Sequence, residues 1–232
     1  MDTADGILGT NMYAYCHNDP VNSCDTGGYY KYDIHFGKHD KDYDVYYGTY
    51  YWAGEYFESV FGDTGAGKKK AWDYAETFAK ANANVDTGAT DPIANWTDRA
   101  AQSWHFNIYF FAKAGSDKDS RTIHYEESMT AAFGYLFMAG ITTGSTRDSY
   151  INSALKAAGR GLHAKQDMIV HKGLGDFNVG FTNFQFPWGV DEVTYKVVDG
   201  VIIGGKKFNA AKDATDSVLR LFIGMGRGFN LW

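Results

Sequence analysis

Proline is scarce in this chain, with 3 among 232 residues. Proline breaks helical hydrogen bonding, so its rarity leaves room for long uninterrupted helices. Cysteine is scarcer still: only Cys16 and Cys24. Two neighbouring cysteines cannot build the framework of a disulfide-stapled scaffold, and their spacing is not that of a zinc ribbon. Positive charge is in deficit, with 22 Lys and Arg against 28 Asp and Glu, a net −6. That balance argues against a duplex-DNA binder working through a broad basic face. There is no signal-peptide pattern and no apolar run long enough to span a bilayer. The nearest candidates, "GYLFMAGI" and "RLFIGMGRGFNLW", are short and broken by glycine. Internal repeats and low-complexity tracts are also missing. The expectation is a soluble chain whose export depends on a system encoded elsewhere.

What is present is a globular composition: 44% hydrophobic and 22% charged, at 25.8 kDa. That size supports one core without covalent staples. Aromatic residues reach 17% and gather in "YYGTYYWAGEYF" and "HFNIYFF". Residues 1–29 differ in kind, with turn chemistry (Asn-Asp-Pro, Asp-Thr-Gly-Gly) and no helical period. From Tyr30 onward, apolar spacing predicts helices over Tyr50–Phe61, Lys69–Asn84, Ser120–Ala139, Asp148–Lys172 and Asn209–Ile223. The fourth opens with Ser145, Thr146 or Asp148 as its cap and closes at Gly173. In "VTYKVVDGVIIGG", β-branched residues flank Asp199-Gly200, a strong hairpin signal. The predicted fold is mainly α with a small β-hairpin at about 190–204.

One helical stretch carries unusual chemistry. In "GLHAKQDMIVH", His163, Asp167 and His171 follow one another at four-residue intervals. Four residues overshoot a helical turn by about 40° and rise about 6 Å, so neighbours in the series share a face. His163 and Asp167 can hold one metal ion, and Asp167 and His171 another. The two histidines lie about 12 Å apart along the axis, too far for one ion. Asp167 would then stand between two metals, one carboxylate oxygen to each. Gly159, one turn earlier, leaves room for something to approach. A single helical histidine is more often a surface or core residue, and a His–Asp pair can be a local ion pair. The triple on one stripe tips the balance toward metal binding.

Further ligands must come from other segments. Asp86 ends the second predicted helix in "NANVD", His105 lies in the aromatic loop "SWHFN", and "YDIHFGKHD" offers His35 and His39. "DSRTIHYEE" offers His124 with Asp119 and Glu127, and Arg121 as a phosphate clamp. The bland readings are a helix-end role for Asp86, solvation for His39 in its charged run, and solvent exposure for His124 and Arg121. "GDTGAGKK" (62–69) fits a phosphate-binding loop for seven positions, but Lys69 stands where Ser or Thr must bind magnesium. It is read as a flexible glycine-lysine loop.

Two resemblances follow. "ADGILGTNMYAYCHNDPVNSCDTGGY" resembles the end of the core domain of RHS (YD-repeat) proteins, through Asn11, Tyr13, Tyr15, Asn18, Pro20–Asn22, Asp25 and Gly28. It departs at Thr26, where Pro is common, and at Tyr29, where Leu is usual. The resemblance implies residues 1–29 as the tail of an RHS core and 30–232 as a C-terminal toxin domain released by cleavage near Tyr29. It makes Met1 the start of a truncated gene. The rest is similar to the zinc-dependent phospholipase C and single-strand nuclease superfamily, over most of residues 30–175. The carrying pattern is "D-x-H" (Asp33, His35), "YYGTYYWA", "NVD" (Asp86), "HFN" (His105), "DSRxxH" (Asp119 to His124) and "LHAxQDxxxH" (Leu162 to His171).

That likeness implies a multi-helix bundle of the zinc phospholipase C type with metal ligands His35, Asp86, His105, His163, Asp167 and His171. Asp86, His105, His163 and Asp167 would hold one zinc, with Asp167 bridging to a second near His35. His124 and Arg121 are candidate additions. Two zinc ions are expected, and a third is the further option. The family completes its third zinc with a later His and Glu, whereas no His follows His171 here and Asp191 or Glu192 would have to serve. The family also uses a free N-terminal amine at the metal, which cleavage near Tyr29 would place close to His35.

The implied activity is metal-assisted phosphodiester hydrolysis by the effector of an RHS polymorphic toxin, phospholipase C-like, with Asp86 as ligand and catalytic base. The alternatives are a nuclease on the same metals and a non-catalytic fragment whose metals only hold helices together. Implied partners are a phospholipid or other phosphodiester, an immunity protein, and the RHS shell before cleavage.

Overall fold

A computed structural model describes residues 32–91, 94–95, 97–105, 107–109, 113, 115–170, 195–198 and 201–232. The RHS-like segment, both cysteines, His171, Asp191 and Glu192 lie outside the described residues. In chain order come a π-helical turn (Tyr32–Phe36), β1 (Lys38–Asp40), β2 (Val45–Tyr47), α1 (Thr49–Phe61) and α2 (Gly65–Ala83). Two 3-10 turns follow (Asn84–Asp86, Gly88–Thr90), then α3 (Arg99–His105), α4 (Ser120–Gly140) and α5 (Gly144–Val170). The chain ends with β3 (Tyr195–Val198), β4 (Val201–Gly204) and α6 (Lys206–Gly228). The fold is mainly helical with small antiparallel hairpins, as expected. β3 and β4 pair Val198 with Val201 across the predicted turn. The β1–β2 hairpin is an addition, hidden in the charged run "KHDKDYDVYY". Among the described residues no helix is long and apolar enough to cross a membrane.

Helix ends depart from expectation for local reasons. The glycine-lysine stretch is not a loop: α2 begins at Gly65, and the Thr64 hydroxyl caps it by accepting from the Gly67 amide at 3.2 Å. Gly62, at φ +87°, makes the sharp exit from α1 just before. α5 starts at Gly144, four residues ahead of Asp148. α6 runs past Ile223 through three glycines because its end is well capped. Leu231 N–H donates to Gly226 O at 3.0 Å and Asn230 N–H to Arg227 O at 3.1 Å. Asn230 takes φ +54°, which completes a Schellman cap. The chain then folds Trp232 onto Gly226, where an added Cβ would lie 2.0 Å from the indole.

The main core joins α1, α2, α4, α5 and α6. Phe57 is its aromatic centre, edge-on to Phe78 and Phe222 at 6.5 Å each. Ala71, Ala75, Ala132, Ala154, Ala158 and Ala214 line the same cluster and let helices approach closely. Each large apolar side chain buried there contributes about 1.5–3 kcal/mol. A smaller cluster (Ile34, Tyr47, Trp52, Phe208, Ala211) pins the N-terminal π turn between α1 and α6. Gly159 settles the register of α5 on α2. A Cβ there would lie 2.3 Å from the Phe78 carbonyl oxygen, so only glycine allows the contact. Four residues further along each helix, His163 meets the Asn82 carbonyl.

Candidate metal centre

Five side chains converge from four segments. α5 supplies His163 and Asp167, as four-residue spacing on a helix requires. The 3-10 turn after α2 supplies Asp86, the last residue of α3 supplies His105, and the N-terminal π turn supplies His35. All five are buried: Asp86 is 7% exposed, the other four 0–2%.

The hydrogen bonds around the rings decide which nitrogen faces inward. His163 Nδ1–H donates to Asn82 O at 3.0 Å, and His105 Nε2–H donates to Thr90 O at 2.9 Å. His35 Nδ1–H donates to Gln166 Oε1 at 2.7 Å. Carbonyl oxygens only accept, so each ring spends its proton on an outer partner. The opposite nitrogens then turn lone pairs toward one another and toward the carboxylates. His163 Nε2 and His105 Nδ1 are 3.1 Å apart, and Asp167 Oδ2 lies 3.1 and 3.0 Å from them. Asp86 Oδ1 is 3.6 Å from each.

Electron-rich atoms packed this closely need a cation or shared protons between them. A tetrahedral ion with bonds of about 2.0–2.1 Å holds its ligands about 3.3 Å apart. The edges measured here, 3.0 to 3.6 Å, bracket that value. His35 packs against the His163 ring, with centroids 4.2 Å apart, and its Nε2 lies 3.4 Å from Asp167 Oδ1 and 3.9 Å from Asp86 Oδ2. Asp86 Oδ2 is buried with no hydrogen-bond partner among the described residues, a position that an ion would satisfy. Two groups can therefore hold a metal ion: His35 with His163 and Asp167, and Asp86 with His105 and His163. Each carboxylate turns one oxygen to the His105 and His163 side and the other to His35.

The two carboxylates dominate the electrostatics of the cluster. Burial opposes ionisation of Asp167, yet the three facing histidines hold its carboxyl well below the ordinary carboxylate range. Burial also pushes the His35 and His105 imidazoles down, but Asp86 and Asp167 outweigh it and raise both. His163, the most enclosed, has its imidazole pushed down by burial.

The other sequence candidates stand apart from this cluster. Arg121 is no phosphate clamp. It is fully enclosed, with its guanidinium on both Asp119 oxygens (3.0 and 2.7 Å) and on Asp167 O (3.2 Å). His124 stacks on Trp104 at 4.0 Å and shares a 2.6 Å hydrogen bond with Ser103 Oγ. Exposed Asp44 engages His39 at 2.8 Å, in keeping with its charged run. His105 ends a helix rather than sitting in a loop.

Three polar residues that the sequence reading gave no role are fully enclosed beside the cluster: Asn82, Gln166 and Thr49. Asn82 Nδ2–H donates to Gln166 Oε1 (2.9 Å) and to Thr49 Oγ1 (3.1 Å), which in turn donates to Ile34 O (2.9 Å). Gln166 and Thr49 lie inside the quoted patterns "LHAxQDxxxH" and "YYGTYYWA", but neither was given a role.

What fold and site together define is a helical protein with a buried histidine–aspartate cluster able to hold metal. Compared with protein-family models, curated proteins and solved structures, the chain matches none of them.

Proposed function

We propose that this chain is a zinc-dependent phosphodiester hydrolase, the C-terminal effector of an RHS polymorphic toxin acting on phospholipid in the manner of phospholipase C. The observation that carries the reading is the convergence of inward lone pairs from His35, His105 and His163 on the two carboxylates. Zinc held by Asp86, His105, His163, Asp167 and His35 would supply Lewis acidity, activating water near neutral pH and offsetting charge on phosphoryl oxygens. Asp86, the least enclosed of the five, would orient the attacking water and accept its proton. Asp167 spans the two halves and fixes their separation. The Asn82 and Thr90 carbonyls hold His163 and His105 in the ligating tautomer throughout.

A lipid substrate is favoured by the outer face of α4, where Phe133, Phe137 and Ile141 are exposed within an uncharged stretch, 128–146. A nuclease is the second reading, and one observation favours it. Arg160 lies 4.8 Å over Trp104, itself stacked on His124 beside His105, a cationic aromatic surface suited to a base.

Incubating the full chain with zwitterionic phospholipid vesicles and with single-stranded DNA, each with and without chelator, tests both. Chelator-sensitive release of phosphorylated headgroup is expected. Cleavage of DNA alone moves the assignment to nuclease. Bound zinc with neither hydrolysis ends the catalytic reading. Asp167→Asn is expected to lose bound zinc and hydrolysis together.

A further inference from the structure

The three imidazoles of the cluster are not held alike. His163 and His105 are oriented by backbone carbonyls, Asn82 O and Thr90 O, which no side-chain substitution deletes. His35 is oriented by a side chain, Gln166. The difference matters because a neutral imidazole side chain in water prefers its proton on Nε2. At His35 it must sit on Nδ1 for Nε2 to face the carboxylates.

The direction of the Gln166 amide follows from its neighbours. Thr49 Oγ1–H donates to Ile34 O at 2.9 Å and Thr215 Oγ1–H donates to Ala211 O at 2.9 Å. Both hydroxyls are thereby left as acceptors, and Gln166 Nε2 donates to them at 3.3 and 3.1 Å. With its amide nitrogen committed to the threonines, Gln166 turns Oε1 to Asn82 Nδ2 and His35 Nδ1. An acceptor at that point admits only a donating Nδ1–H. Every member of the chain from Thr215 to His35 is buried, so water cannot substitute.

We propose that Gln166 is the positioning residue for the His35 half of the metal centre. It selects the His35 tautomer and so sets the metal affinity of the group His35, His163 and Asp167, rather than that of Asp86, His105 and His163. The inference rests on the metal-hydrolase reading for its metal consequence, but its tautomer claim stands on hydrogen bonding alone. Loss of such an outer partner costs about 10- to 100-fold in metal affinity.

The test combines two measurements on the full chain. Long-range ¹H–¹⁵N correlation spectra of the metal-free protein, taken at alkaline pH where the His35 ring is neutral, report its tautomer. Zinc titration against a chromophoric chelator reports each half's affinity. In the unsubstituted chain His35 is expected as the Nδ1–H form, and finding it as Nε2–H overturns the proposal without any variant. Gln166→Met, close in volume and unable to accept, is expected to lose that tautomer. It should weaken one of two zinc ions about 10- to 100-fold and spare the other. Gln166→Glu retains the acceptor and is expected to keep both the tautomer and the second zinc.

A packing role predicts the reverse order, because a buried carboxylate disrupts the core more than methionine does. Wild-type affinity for both ions in Gln166→Met, or loss in Gln166→Glu alone, overturns the assignment. If the tautomer responds as described while the unsubstituted chain binds no zinc, the positioning claim holds and the hydrolase reading falls.

Discussion

Arg121 illustrates how polar residues near the cluster serve to hold it together. Its guanidinium neutralises Asp119, whose carboxyl is held below the ordinary range against the pull of burial, and it reaches on to the Asp167 carbonyl. Removing one partner of an enclosed pair strands the other charge. Arg121→Met is therefore expected to cost about 3–5 kcal/mol, read as a lower denaturation midpoint. Were Arg121 a substrate clamp instead, stability would hold and only substrate affinity would fall. His163 and Asp167 were legible because helical spacing alone places them together. Asp86, His105 and His35 became legible only through the order of motifs, since distant segments carry no shared period. Gln166 stood in the pattern "LHAxQDxxxH", but its role was not legible, because it depends on three hydroxyl and amide neighbours from other elements.

At the scale of elements, the long helices followed from periodicity and their ends did not. α2 starts in a stretch whose glycines and lysines look like a loop, because a single threonine hydroxyl satisfies its first turn. α6 tolerates glycine near its end because Asn230 and Trp232 close that end from outside. Gly159 was read as leaving room for an approaching group, and that group is the backbone of α2. Gly159→Ala is expected to force α5 from α2 and to destabilise the fold by about 1–3 kcal/mol. The same displacement pulls His163 from the Asn82 carbonyl. A matching fall in zinc affinity, measured on the folded variant, distinguishes this coupling from a simple loss of stability.

For the whole molecule, the metal-free and metal-bound forms should differ in their response to pH. Without metal, the raised imidazoles of His35 and His105 stay protonated and balance the two carboxylates. Their folded-state values lie above the ordinary 6.5, so their stabilisation is complete below 6.5 and vanishes as pH rises through the raised values. Asp167 has the opposite sign: its contribution is present above 3.8 and is lost as pH falls through its depressed value. Thermal melts in excess chelator are expected to show stability declining from mildly acidic toward alkaline pH. With zinc present the trend reverses, because binding requires both imidazoles to shed their protons. Identical profiles with and without chelator would exclude metal from the cluster.

The side chains of the cluster are scattered along the chain, and His35 and Gln166 are 131 positions apart. Among the described residues, neither the π turn nor α5 alone brings three of them together. Contacts of such long separation form late, after the loops between them have closed. Metal capture would consequently be the closing event of folding, and a chain still emerging from the ribosome would hold no ion at this cluster until α5 had packed on α2.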